Sequence, residues 1–404
     1  MRLLILDEAW QAIGGVDTFR RFLLPALAQK VEKLWWANPA LSQPRRFPDV
    51  DFQSVGLLDS LPPSRSSLGL VAAVLRRTPS SLLPGFRDRL QGALSHRHLR
   101  RLVGRLGVTH VLEICVFRRP FPRLGVPTLG LVHDLDYPDR GHSPHDRFFL
   151  DWLRHAEGII AASGQTRGEL LELLSSAAPR ISVLEQPATP PPVPPPSRQN
   201  NPWSRSEPVF YYPAAAIPRK GHAVLLAALA QLAKEGFPFH CYLSGGGTDL
   251  LFSDQPLPNA TSEAVRQTCL PFREALRNRV TGLGMQPWSA VEELYAAADL
   301  IVFPSRNEGY GLPPGEALRR GRPVLASRIS SFVNQVSFYQ AADQYRLFPA
   351  GDIPALTTAL RHILDKTSPF PPFSPELQAR LAAWSWDAYA DRVLATFPTS
   401  LVQP

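Results

Sequence analysis

Lysine is scarce in this chain of 404 residues: of 43 cationic side chains only five are lysine, and the other 38 are arginine. Arginine's planar fork suits bidentate binding of phosphate and carboxylate. Cysteine is nearly absent. Cys115, Cys241 and Cys269 make an odd count with no CxxC pair, which argues against a disulfide scaffold or structural zinc and makes reducing cytoplasm the simplest home. Long apolar runs are missing too. No stretch reaches the roughly 18 to 20 apolar residues of a spanning helix. The opening MRLLILDEAW meets acids after a short apolar run, too soon for a secretory signal. A soluble or peripheral cytoplasmic protein is expected. Heptads, zinc-ligand spacing and nucleic-acid modules are also lacking, so no structural zinc and no nucleic-acid partner are expected.

What is present fits a globular protein of two domains. The length exceeds that of one typical core, and 44% hydrophobic against 19% charged residues excludes general disorder. The net charge of +8 calls for anionic partners such as nucleotides or a membrane face, unless it is plain compositional bias. Between residues 187 and 208 stand nine prolines. That density suits a semi-rigid linker between a domain over 1–186 and another over 209–380, with 381–404 as a terminal helical segment.

Both halves carry an α/β rhythm. Leu3 to Leu6 predicts a buried strand, Gly14-Gly15 a turn, and Val16 to Gln29 an amphipathic helix. Paired glycines let backbone approach a ligand, though a tight turn alone explains them equally well. Residues 71–105 hold eight arginines and one acid, Asp88. Two helical segments there would face an anionic membrane or acceptor, or merely solvent. A strand over Thr128 to Val132 ends in His133-Asp134, at the edge where open α/β sheets bind ligands. His133 could bond a reacting group or act as acid or base. In the second half the pattern predicts strands at Val209 to Tyr212, Phe239 to Leu243, Val280 to Leu283, Leu300 to Phe303 and Pro323 to Ala326. Residues 248–270 read as a polar insertion.

The richest segment is Val302 to Leu325, VFPSRNEGYGLPPGEALRRGRPVL. A buried strand feeds a loop holding Glu308, Gly309, Tyr310, Gly311 and Leu312, and a helix begins near Pro314, whose exposed amides favour an anion. Glu308 and Glu316 could each accept two hydroxyl hydrogen bonds; the alternatives are a solvated loop acid and a first-turn dipole partner. Arg219-Lys220, in YYPAAAIPRKGH, could neutralise a diphosphate or be a surface pair.

These quotations resemble the large family 4 of retaining glycosyltransferases with the GT-B fold. ELYAAADLIVFPSRNEGYGLPPGEALRRGRPVLAS resembles its sugar-nucleotide signature, with Glu308 and Glu316 as the E-x7-E pair. YYPAAAIPRKGH, GLVHDLDYP, HAEGIIAASGQTRGEL, Gly14-Gly15 and the terminal WSWDAYA resemble further family segments. The resemblance implies two Rossmann-like doubly wound domains facing each other across a cleft, the last helix returning to the first domain. It implies transfer of a sugar from a UDP- or GDP-linked donor to a saccharide or lipid-linked acceptor, as in polysaccharide biosynthesis, with no metal and no cofactor. Glu316 would bind ribose hydroxyls and Glu308 the sugar. Lys220, with Arg219, would hold the diphosphate. Gly14, Gly15 and the backbone of Gly309 to Leu312 would support the nucleotide-sugar, and His133 would bond the sugar near its reacting carbon. A degenerate binding protein and a nucleotide-sugar epimerase on the same scaffold are the rival readings. The chain departs from its relatives at Ala215, where many have arginine, in EQPA where many read PNGV, and in SSFVNQV, which lacks their glutamate.

Overall fold

Leucine-rich runs such as RLLILD and LIVF are apolar on both faces, so they suit strands covered on both sides, which is the setting of a parallel sheet. The computed structural model bears this out. It describes residues 1–7, 15–37, 53–54, 99–114, 123–135, 144–174, 180–190, 207–257 and 259–398.

The chain divides into two units, Met1–Glu185 with Trp386–Pro404, and Gln186–Ser385. Most of the expected linker, residues 191–206, lies outside the described residues, as do Gly14, Cys115 and most of the arginine-rich stretch.

In the first unit, β1 (Arg2–Asp7), β2 (Lys33–Ala37), β3 (Gln53–Ser54), β4 (His110–Ile114), β5 (Thr128–Val132), β6 (Gly158–Ala161) and β7 (Arg180–Val183) form one sheet in the order β3-β2-β1-β4-β5-β6-β7. Every pairing is parallel, for example Leu3 against both Leu34 and His110. The strand order reverses between β1 and β4. Helix Trp386–Thr396 packs on helix Gly15–Ala28, and Lys30 bridges Asp387 at 3.0 Å and Asp391 at 2.9 Å.

The second unit repeats the plan. Its strands β8 (Val209–Pro213), β9 (His240–Ser244), β10 (Val280–Gly282), β11 (Leu300–Phe303), β12 (Val324–Ser327) and β13 (Tyr345–Phe348) lie in the order β10-β9-β8-β11-β12-β13, again all parallel. Here the reversal falls between β8 and β11. In such sheets the loops leaving the carboxyl ends of the two strands at the reversal diverge and leave a crevice for a ligand.

Residues 248–270, read from sequence as a polar insertion, hold a 3-10 turn, Thr248–Leu250, and helix Ala260–Cys269. Asn259 caps that helix by accepting from the Ser262 amide at 3.0 Å, and Arg266 grips Glu263 within it. Burial of Val265, Arg266 and Cys269 supplies the core face that polar composition concealed. Cys241 and Cys269 are buried free thiols.

Candidate functional site

The loop after β8, AAAIPRK, is short and carries one 3-10 turn, Pro218–Lys220. Gly221 closes it at φ 69°, where a Cβ would fall 2.2 Å from the Pro304 carbonyl oxygen. Only glycine lets the loops after β8 and β11 approach this closely. They are joined directly as well: the Arg306 amide donates to the Arg219 carbonyl at 2.7 Å. Buried Tyr212 donates to the Lys220 carbonyl at 2.6 Å and lies 3.3 Å from Ser305 Oγ.

This stitching brings three predicted residues together. Lys220 Nζ lies 2.6 and 2.7 Å from the two oxygens of Glu308, and Arg219 Nη1 donates to Glu308 Oε2 and to the Asn307 carbonyl, each at 3.1 Å. Burial by itself would push the Glu308 carboxyl up, but the charges of Lys220 and Arg219 outweigh it and hold the group below its ordinary range. Glu308 is 6% exposed. Its cations are less covered, at 18% for Lys220 and 24% for Arg219. Lys220 and Arg219 thus set two cations beside one carboxylate, the sign of charge that a diphosphate needs. The Ala215 carbonyl accepts from the Ile217 amide at 2.9 Å, and the guanidinium beside Glu308 is that of Arg219.

Glu316 belongs to a different group. Helix Leu312–Arg319 carries it, and its two oxygens accept from Thr189 Oγ1 and the Tyr295 hydroxyl, both at 3.1 Å. Burial pushes its carboxyl up, against the pull of Arg320. Arg320 Nη1 donates to the Glu316 carbonyl at 3.0 Å and to the Thr189 carbonyl at 3.2 Å, while its Nε donates to Glu292 at 2.8 Å. Each carboxylate oxygen has two acceptor sites, so Glu316 keeps capacity for two more hydroxyls. Thr189, Tyr295 and Arg320 were not singled out from sequence. Thr189 is 127 positions from Glu316, and no local pattern marks such a contact.

The connecting loop ends at Gly311, with φ 81° and ψ 82°, which caps the helix without a side-chain hydrogen bond. A Cβ there would meet the Phe332 ring at 2.7 Å. Tyr310 is buried, its hydroxyl 2.9 Å from that of Tyr339.

In the first unit, Gly15 opens helix Gly15–Ala28. Phe19 of that helix meets the His133 ring edge-on at 4.6 Å. Burial, with the nearby Arg20 charge, draws the imidazole down to about 4, so it is neutral at physiological pH. The His133 carbonyl accepts from Thr166 Oγ1 at 3.3 Å. Among the described residues, no three His, Cys, Asp or Glu side chains gather as a metal site, and no helix is long and apolar enough to cross a membrane.

Known proteins resemble this chain in sequence and in fold. Residues 207–366 match the family described as Glycosyl transferases group 1, and the matched stretch falls wholly inside the second unit. The chain is 26% identical over 197 residues to D-inositol 3-phosphate glycosyltransferase of Nocardia farcinica, a match covering 46% of this chain and 40% of that protein. It is 31% identical over 99 residues to sulfoquinovosyl transferase SQD2 of Arabidopsis thaliana, covering 23% of this chain and 19% of that one. The chain thus spans about two fifths or less of the length of these relatives. Among solved structures, sucrose-phosphate synthase of Thermosynechococcus elongatus superposes with a TM-score of 0.68 at 19% identity, over 98% of both chains. HepE of Anabaena in complex with UDP-glucose gives 0.62 at 16% identity, over 98% of this chain and 100% of that one. The chain is related to the group 1 glycosyl transferases and has their GT-B type of fold.

Proposed function

We propose that this protein is a retaining glycosyltransferase that moves a sugar from a nucleotide-sugar, UDP- or GDP-linked, to a saccharide or lipid-linked acceptor. One observation carries the reading. The cation pair Arg219–Lys220 and the carboxylates Glu308 and Glu316 issue from the two strands at which the second sheet reverses. That is where a nucleotide docks in a doubly wound domain. HepE, of the same fold, has been captured with UDP-glucose, which supports the nucleotide-sugar class.

In this reading Lys220 and Arg219 take the diphosphate. They loosen their hold on Glu308 as they do so, which leaves that carboxylate for sugar hydroxyls. Glu316 accepts the ribose hydroxyls with its remaining lone pairs. As the glycosidic bond breaks, negative charge builds on the departing diphosphate, and the two cations stabilise it. Neutral His133 offers a ring nitrogen to the sugar rather than a positive charge. Gly14 and Gly15 lend backbone to the nucleotide-sugar.

We also assign the protein to the cytoplasm, peripheral at the inner membrane face. Helical residues 99–106 bury Leu99, Leu102 and Val103 and expose Arg100, Arg101 and Arg105, a pattern suited to anionic headgroups.

The purified chain, incubated with a panel of nucleotide-sugars, is expected to release nucleotide from one of them only when a cell-envelope extract supplies acceptor. Turnover without acceptor would favour an epimerase or a hydrolase. Tight nucleotide binding with no turnover would favour a degenerate binding protein. Absence of any nucleotide binding would overturn the proposal.

A further inference from the structure

Gln335 sits in helix Ser330–Tyr339 and is fully buried. Its Nε2 donates to the Tyr310 carbonyl at 2.6 Å and to the Gly311 carbonyl at 2.8 Å. Two acceptors at these distances require the NH2 end of the amide, so the side chain's orientation follows from chemistry. Its own Oε1 is buried with no hydrogen-bond partner among the described residues. A buried acceptor left idle is costly, so the two donated bonds are the reason for an amide here.

The consequence lies on the other side of two peptide planes. In a trans peptide the C=O and N–H point in opposite directions. The Tyr310 carbonyl shares its plane with the Gly311 amide, and the Gly311 carbonyl shares its plane with the Leu312 amide. Gln335, holding both oxygens, therefore aims both N–H groups the opposite way. Among the described residues neither amide has a backbone acceptor, and no side chain caps the helix. The next two residues, Pro313 and Pro314, have no N–H at all. Of the first four positions of this helix start, Gly311 and Leu312 alone can donate.

We infer that Gln335 is a positioning residue whose amide locks the Tyr310–Gly311 carbonyls so that the Gly311 and Leu312 amides face the diphosphate. The inference rests on the nucleotide-sugar reading above and deepens it. Glutamine does what a carboxylate here could not, since an ionised glutamate side chain in its place would set its oxygens against two carbonyl oxygens.

The test is equilibrium binding of UDP and GDP, with uridine and guanosine as phosphate-free controls, to the full chain and to Gln335→Met and Gln335→Glu. Thermal unfolding checks that each variant folds. Gln335→Met should weaken binding of the preferred diphosphate roughly tenfold and leave nucleoside affinity within about twofold. Gln335→Glu should weaken it further at neutral pH and regain part of the loss, relative to the unmutated chain, as acidification protonates the carboxyl and restores one donor. Equal losses for nucleoside and diphosphate, or none, would overturn the inference. A readout on the unmutated chain does not depend on either variant folding: with isotope-labelled glycine and leucine, the Gly311 and Leu312 amide resonances should move on addition of the diphosphate but not of the nucleoside. Failure of the unmutated chain to bind any diphosphate would instead overturn the reading beneath.

Discussion

Two sheets with the same strand order use their charges in opposite ways. In the first unit the charges at the reversal point are inside the strands. Asp7, at the end of β1, is fully buried and accepts from Arg20 at 2.6 Å and from the Trp36 indole at 3.2 Å. Glu113 on β4 is likewise fully buried and accepts from the Trp152 indole at 2.8 Å. In the second unit the strands at the reversal are apolar, and the charges stand on the loops beyond them, where Lys220 and Arg219 remain partly exposed. Strand order locates a crevice. Whether charge reaches it depends on which side of the strand's last residue the ionisable group falls. On this account the ionic groups at the first unit's reversal point hold its fold and those at the second unit's hold an anion.

The largest effect should come from breaking the buried pair of the first unit. Arg20→Met leaves Asp7 uncompensated and should cost about 3–5 kcal/mol of stability, measured by denaturant unfolding. Nucleotide affinity of the surviving folded protein should be unchanged, and a selective loss of binding would erase the distinction between the units. Lys220→Met should do the reverse. It should weaken nucleoside-diphosphate binding by about 2–3 kcal/mol, or on the order of 100-fold, and affect the parent nucleoside little; calorimetric titration of both ligands checks this. Glu316→Ala should weaken binding of nucleoside and diphosphate alike by about 2 kcal/mol, because both carry the ribose. Unchanged affinity for both would move the ribose elsewhere.

The smallest effect concerns pH. His133 in the first unit and His222 in the second are both drawn down to about 4, chiefly by burial. A histidine lowered from 6.5 takes up its proton more readily in the unfolded chain. Its contribution is therefore complete above the unfolded value and is lost as pH falls from 6.5 toward 4. For His133, which keeps some solvent contact, the loss should be about 1–2 kcal/mol. His133→Phe should flatten that part of the stability profile, and an unaltered acid limb would show that the imidazole titrates normally.

Strands were the most legible part of the sequence, because strands buried on both faces are written as unbroken apolar runs. Thr128–Val132 and Leu300–Phe303 match the expected spans at both ends. Strand Lys33–Ala37 escaped notice, since KLWWA is short and follows a helix closely. Helix Ser330–Tyr339 escaped because its β-branched, aromatic and polar residues carry no clear helical stripe. The site was half legible. Glu308, Lys220 and Arg219 could be named from their positions after strands, whereas their ion pairing spans 88 and 89 residues and exists only in the fold. Gln335 looked like a missing glutamate. Its meaning depends on two backbone carbonyls 24 and 25 residues away, which no pattern of side chains reveals.

The central claim is that the second unit's reversal point holds a nucleoside diphosphate. A crystal structure of the chain with its preferred nucleoside diphosphate tests it most directly. The account predicts phosphate oxygens within hydrogen-bond distance of Lys220, Arg219 and the Gly311 and Leu312 amides, with ribose hydroxyls on Glu316 and the Glu308–Lys220 contact lengthened. A nucleotide bound away from these residues, or an undisturbed Glu308–Lys220 pair beside an ordered diphosphate, would contradict it.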